Sequence, residues 1–196
     1  MTEPLRPLDR RAFVSELMAA CPDVLTVAGL GAPAYDLYAA GDRDTSFYLW
    51  GGMGGAAAMG LGLALAQPER SVVVLTGDGE QLMGLGALAT IGAQRPQNLT
   101  VVVLDNGRYG ETGMQETHTS LGTSLAAVAS ACGLAWAETV SAAEAVQGLA
   151  RRIRAREGCG LAQVLVRAET PARTLPPRDG PRQKGRFRAA LEIPAA

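Results

Sequence analysis

Two stretches of this chain, residues 72–76 (VVVLT) and 99–104 (LTVVVL), are apolar at successive positions instead of alternate ones, and β-branched residues dominate both. A strand that is apolar on both of its faces belongs in a sheet covered on both sides, as parallel sheets are. Residues 24–28, 46–50, 134–137 and 161–166 read as further short strands. Between these runs the apolar period lengthens to that of a helix. Asp9 is placed to cap a helix over residues 10–20, where Phe13, Leu17 and Ala20 share a face and Pro22 ends the pattern. Pro33 suits the first turn of a second helix. Residues 56–66, 81–93, 123–132 and 143–156 give four more, with Leu82, Leu85, Leu88 and Ala89 on one face of the second of these and Ser141 as cap of the last. Strands alternating with helices predict an α/β fold: one doubly wound parallel sheet over residues 1–167, helices on both faces, crossovers right-handed. After Arg167 the text turns to prolines and arginines, so residues 168–196 form a basic, Pro-rich tail, either solvated or docked on the body or on a partner.

Composition narrows the class. Hydrophobic residues make up 47% and charged residues 19%, with formal net charge −1, which fits a soluble globular domain and gives no long-range attraction to nucleic acid. No apolar run reaches membrane-spanning length and no leader pattern opens the chain, so a cytoplasmic protein with no membrane partner is expected. Cys21, Cys132 and Cys159 are odd in number and far apart, which argues against a disulfide framework, a zinc site or an iron–sulfur cluster.

The two unalternated strands each run into a loop with chemistry. Gly77-Asp78-Gly79 follows the first: two residues without Cβ flank a carboxylate at a helix start, where backbone amides can approach an anion. Asp105-Asn106-Gly107 follows the second and brings a carboxylate and an amide oxygen to the carboxyl edge of the sheet, where open α/β sheets bind ligands. Both are hard oxygen donors. With a diphosphate they complete the shell of a Mg²⁺ ion, which takes one or two protein oxygens together with phosphates and water. Residues 105–120 form a long, polar, Gly-punctuated loop that reads as a lid without regular structure, and the sole histidine, His118, lies in it.

Gly-Asp-Gly followed about one βα unit later by an Asn pair resembles the signature of the thiamine diphosphate-dependent 2-oxoacid decarboxylases. The family's first Asn is Asp105 here and its second is Asn106. Residues 29–65 (GLGAPAYDLYAAGDRDTSFYLWGGMGGAAAMGLGLAL) and 111–117 (ETGMQET) extend the resemblance over most of the chain, toward the β subunits of sulfopyruvate decarboxylases and the matching half of phosphonopyruvate decarboxylases. The resemblance implies thiamine diphosphate and Mg²⁺ as cofactors, with Asp78, Asn106 and the main-chain carbonyl of Arg108 as metal ligands. It also implies Gly52, Met53, Gly77, Asp78, Gly79, Asn106 and Tyr109 around the cofactor, Met53 being the apolar residue that bends it. His118 is the candidate catalytic residue, as proton donor or as holder of a substrate anion, with an ordinary surface histidine as the other reading. Glu80 is an awkward like charge beside a diphosphate and is expected to point away. The Arg-Phe-Arg sequence at 186–188 also matches the ending of such β subunits.

In this family the Glu that activates the cofactor belongs to a second, pyrimidine-binding domain, and this sequence carries no such domain. The expectation is therefore a β subunit that works only with an α partner, in an α2β2 or higher assembly, on a small 2-oxoacid bearing a second anionic group. Gly113 and Gln115 match family positions, whereas Met114, Glu116 and His118 depart from the usual Gly-Gln-Pro-Thr wording, which bears on the substrate more than on the cofactor. Three rivals stand beside this reading. They are a carboligase subunit resembling acetolactate synthase, a non-catalytic assembly subunit that binds cofactor, and a nicotinamide-binding domain suggested by Gly29-Leu30-Gly31-Ala32-Pro33-Ala34. The last lacks a clear ribose-binding acid where that fingerprint wants it.

Overall fold

The structure is a computed structural model and describes residues 7–193; residues 1–6 and 194–196, the outer ends of the expected domain and tail, lie outside the described residues. In chain order the elements are α1 (Arg10–Ala20), β1 (Leu25–Ala28), α2 (Ala32–Ala39), β2 (Ser46–Tyr48), α3 (Ala56–Ala66), β3 (Val72–Gly77), α4 (Asp78–Met83), α5 (Gly86–Gln94), β4 (Leu99–Asp105), β5 (Arg108–Tyr109), β6 (Gln115–Glu116), α6 (Leu125–Ala131), β7 (Trp136–Val140), α7 (Ala145–Ala155), β8 (Gly160–Leu165) and α8 (Gly180–Ala190).

β3 and β4 are buried along almost their whole length, as their apolar text requires, and pair in parallel with Val72 opposite Leu99 and Gly77 opposite Leu104. They form the middle of a six-stranded parallel sheet in the order β2-β1-β3-β4-β8-β7. Side chains of alternate parity feed two cores. One face of the sheet holds Val73, Leu75, Val102 and Leu104 under α1, α2 and α7. The other holds Val72, Val74, Val101 and Val103 under α3, α5 and α6. Winding reverses at β1 and β3, where α2 leaves to one face and α4 and α5 to the other. This reversal opens a crevice at the carboxyl edge, where doubly wound sheets place their ligands.

The expected doubly wound sheet is present, and five local expectations change. The helix expected over 81–93 is two helices, α4 and α5, interrupted at Gly84 and Leu85. The interruption brings Gly84 against the loop before α3, so close that a Cβ there would stand 2.1 Å from the Gly54 carbonyl oxygen. The 105–120 loop contains the short antiparallel pair β5 and β6, with Arg108 opposite Glu116 and Tyr109 opposite Gln115. Ser141 does not cap α7, which begins after a turn at Glu144 with no side-chain cap. β7 lies later than residues 134–137 because its partner β8 sets the register, Trp136 opposite Gly160.

The last difference lies in the Pro-rich tail, whose residues 180–190 form α8 docked on the edge strand β2. Phe187 is 5% exposed and meets Phe47 edge to face at 5.4 Å. Gln183 Nε2 donates to the Tyr48 carbonyl at 2.7 Å, and its Oε1 accepts from the Tyr48 amide at 3.3 Å. A side-chain amide thus takes the part of a neighbouring strand and covers an open sheet edge. Cys21 and Cys159 are buried and Cys132 is half-buried, all three as free thiols. Among the described residues no helix is long and apolar enough to cross a membrane.

Candidate active site

β1, β3 and β4 end side by side, and the loops that follow them enclose a cleft of about 180 Å³. Met53, Gly77, Asp78, Gly79, Asn106, Arg108 and Tyr109 all line it. Residues separated in sequence by a whole βα unit meet here because β3 and β4 are neighbours in register, so that their next residues emerge together.

Asp78 opens α4 and is 2% exposed. Its Oδ2 accepts from the Thr117 hydroxyl at 2.6 Å. The Thr119 hydroxyl lies 3.2 Å from the same oxygen and 2.8 Å from Asp105 Oδ1. Since a threonine has one hydroxyl proton, it cannot donate to both carboxylates at once. Asp105 is further held by Gln163 Nε2 at 2.7 Å and by the Gly107 amide at 3.0 Å. Burial, chiefly, raises the Asp78 carboxyl from 3.8 to about 6; the Thr117 hydrogen bond opposes the rise and the charge of Asp105 adds to it. A carboxyl raised in this way leaves the fold bearing the cost of its ionisation above about pH 6 and none below 3.8.

That arrangement is one into which a cation fits. Two neighbouring buried carboxylates share one hydroxyl, that of Thr119, and neither has a basic side chain among its hydrogen-bond partners. Asn106, half-buried at the cleft wall, turns its Oδ1 back to the Arg108 amide at 2.9 Å, which fixes the turn that presents both residues. Among the described residues no group of three or more His, Cys, Asp or Glu side chains is arranged to hold a metal unaided. One carboxylate, one amide oxygen and a backbone carbonyl instead suit an ion that draws its remaining oxygens from a diphosphate and water.

The glycines of the site are close-approach positions. A Cβ at Gly79 would stand 2.7 Å from the ring of Tyr109, so the phenol lies directly on the loop. A Cβ at Gly29 would stand 1.6 Å from Glu80 Oε2, and Thr76 Oγ1 donates to that oxygen at 2.9 Å. Glu80 is expected to point away from a diphosphate, and its carboxylate is turned to Thr76 and the β1 loop. It lines the cleft, folded against the β1 loop, with burial raising its carboxyl.

Two expected site residues stand apart. Gly52 does not line the cleft and instead shapes the turn beneath Met53, its carbonyl accepting from Gly55 at 2.9 Å. His118 is exposed outside the lining, its carbonyl accepting from Leu121 at 3.1 Å and Thr123 at 3.0 Å. Met53 is 57% exposed at the cleft mouth beside Met83, 60% exposed. Thr117, Thr119 and Gln163 escape the sequence reading. Only Gln163 leaves a trace there, as the one polar residue in the run GLAQVL.

Fold and cleft together define a cofactor-binding α/β domain. The chain matches the thiamine pyrophosphate enzyme family, C-terminal TPP binding domain, over residues 31–166, and belongs to that family. It is 47% identical over 110 residues to the sulfopyruvate decarboxylase subunit beta of Methanocaldococcus jannaschii, covering 56% of this chain and 58% of that one. It is 36% identical over 185 residues to the sulfopyruvate decarboxylase of Methanosarcina acetivorans, covering 94% and 47%. It is 39% identical over 189 residues to the phosphonopyruvate decarboxylase of Streptomyces viridochromogenes, covering 95% and 47%. The chain therefore spans about half the length of these curated relatives. Among solved structures, the thiamine diphosphate-dependent 4-hydroxybenzoylformate decarboxylase of Rhodococcus jostii superposes with TM-score 0.73 at 20% identity, covering 86% of this chain and 34% of that one, a likeness of fold.

Proposed function

We propose that this chain is the diphosphate-binding subunit of a thiamine diphosphate- and Mg²⁺-dependent decarboxylase acting on a small 2-oxoacid with a second anionic group, sulfopyruvate- or phosphonopyruvate-like. The observation that carries the reading is the meeting of Asp78 and Asn106 in one cleft with Met53 at its mouth, in a chain whose relatives are named for that chemistry. In the proposal, Asp78, Asn106 and the Arg108 carbonyl hold Mg²⁺, and the metal holds the diphosphate. Thr117 and Thr119 fix the Asp78 carboxylate in one rotamer. Gly77 and Gly79 let the backbone approach the anion, and Tyr109 closes over it. Met53 bears on the rest of the cofactor from the open side.

Bound there, the cofactor supplies the electron sink that lets carbon dioxide leave a 2-oxoacid. The chain positions it, keeps its diphosphate neutralised, and leaves the mouth at Met53 and Met83 open. A partner subunit with a pyrimidine-binding domain and the activating Glu would complete the site there, in an α2β2 or higher assembly in the cytoplasm. His118, exposed outside the cleft, is assigned proton donation only within that assembly.

The test is turnover of 2-oxoacids by the chain co-expressed with its partner. Release of an aldehyde and carbon dioxide from sulfopyruvate or phosphonopyruvate, lost in Asp78→Ala, is the expected result. Condensation with an added aldehyde in place of release would assign the complex to carboligation, and no reaction with any 2-oxoacid would refute the proposal.

A further inference from the structure

Helices that run back along a parallel sheet bring their carboxyl ends to its amino edge, and with them carbonyls that no helix amide fills. At that edge, opposite the cleft, arginines meet the helix ends. Arg43 commits its guanidinium to the end of α1, donating to the carbonyls of Met18 at 2.9 Å, Cys21 at 3.2 Å and Pro22 at 3.3 Å. Arg154 Nη1 donates to the Ala20 carbonyl, Arg70 Nη1 to the Ala190 carbonyl of α8 at 3.0 Å, and Arg156 Nη1 to the Pro68 carbonyl at 3.4 Å.

Arg70, Arg154 and Arg156 also line one cavity of about 400 Å³, between the ends of α1 and α7 and the residues that enter β3. Capping accounts for only part of each side chain. Among the described residues only Nη1 of each is engaged, which leaves the hydrogens of Nε and Nη2 for another acceptor. The carboxylates of the lining are Asp23 and Glu69. Glu69 pairs with Arg156 at 3.2 Å, but its side chain is 88% exposed, and so exposed a pair is weakly held. Three guanidiniums thus meet two carboxylates, one of which can swing into solvent. Arg156 closes α7 in the left-handed conformation, φ 54°, where a glycine would sit without strain, so a guanidinium is kept there against the preference of its own backbone.

We propose that this cavity binds a small oxyanion carrying two or more negative charges, held by Arg70, Arg154 and Arg156 with the Glu69 carboxylate displaced. The carbonyl tethers hold the guanidiniums in place before a ligand arrives, and each free fork can engage two oxygens at once. Phosphate groups and polycarboxylates share that chemistry. Ser71, also in the lining, precedes β3 and donates its hydroxyl to the Ile153 carbonyl of α7 at 2.7 Å. A bound anion therefore ties the end of α7 to the start of β3, the strand whose far end leads into Asp78.

Calorimetric titration of inorganic phosphate, and separately of citrate, into the full chain at constant ionic strength compares wild type with Arg154→Gln, Arg156→Gln and Glu69→Gln. Each arginine change is expected to weaken binding by about tenfold, and Glu69→Gln to tighten it by about fivefold. Glu69→Gln leaves every helix end capped, so the comparison survives even where Arg154→Gln loosens α1. Asp78→Ala, at the other edge of the sheet, should leave this binding unchanged. Tighter binding of phosphate assigns the site to a phosphate-bearing ligand, and tighter binding of citrate to a polycarboxylate. Equal binding by wild type, Arg156→Gln and Glu69→Gln overturns the site, as does binding of both anions no stronger than that of chloride, which would leave the arginines as helix caps alone. Neither cofactor nor turnover enters the titration, so the site stands or falls apart from the decarboxylase reading.

Discussion

A threonine hydroxyl is set between two carboxylates, Thr119 between Asp78, which lines the cleft, and the buried Asp105 behind it. Asp9 shows the contrast. It caps α1 by accepting from the Ala12 amide at 2.8 Å, and that bond, foremost, holds its carboxyl below 3.8. A lowered carboxyl stabilises the fold above the unfolded value and loses that contribution as the pH falls through the folded one. Asp9→Ala should therefore cost about 1 kcal/mol in urea unfolding at pH 7, and the difference should shrink as the pH is taken below 3.8. A difference independent of pH would mean that the cap acts by shape alone. Asp9, Asp78 and Asn106 were legible in the sequence because each announces itself within a few residues, as a cap or as part of a motif. The hydroxyl and amide partners were not. Thr117 lies 39 positions from Asp78, and Gln163 lies 58 from Asp105, and only the sheet brings them together.

Elements followed the sequence where their period was unbroken and departed from it where a contact from elsewhere intervened. α1 occupies the expected residues because its apolar face runs from the Asp9 cap to its end, and α3 because its unbroken apolar run stops at Gln67. The helix expected over 81–93 divides because Gly84 must pass the Gly54 carbonyl, a constraint written in another loop. α8 has few apolar residues and reads as a polar segment; what docks it is Phe187 against Phe47 and Gln183 against Tyr48. Phe187→Ala should remove about 3 kcal/mol from this docking. Hydrogen exchange should then quicken across α8 and β2 and leave β3 and β4 unchanged. Equal quickening in the central strands would show instead that α8 unfolds only with the whole domain.

At the scale of the molecule, a six-stranded sheet with two separate cores gathers the ends of β1, β3 and β4 at one edge and leaves that edge open at Met53 and Met83. The doubly wound class was legible because buried parallel strands have a text of their own, whereas the order of the outer strands and the docking of α8 on β2 are properties of the assembled sheet. The account holds that this edge is half of a cofactor site, metal-holding side chains included. The direct test is calorimetric titration of thiamine diphosphate with Mg²⁺ into the chain alone and into the chain co-expressed with its partner, for wild type, Asp78→Ala and Asn106→Ala. The account predicts weak binding alone, tight binding in the complex, and loss of both in either variant or when Mg²⁺ is chelated. Binding that is unchanged in Asp78→Ala and Asn106→Ala would contradict it.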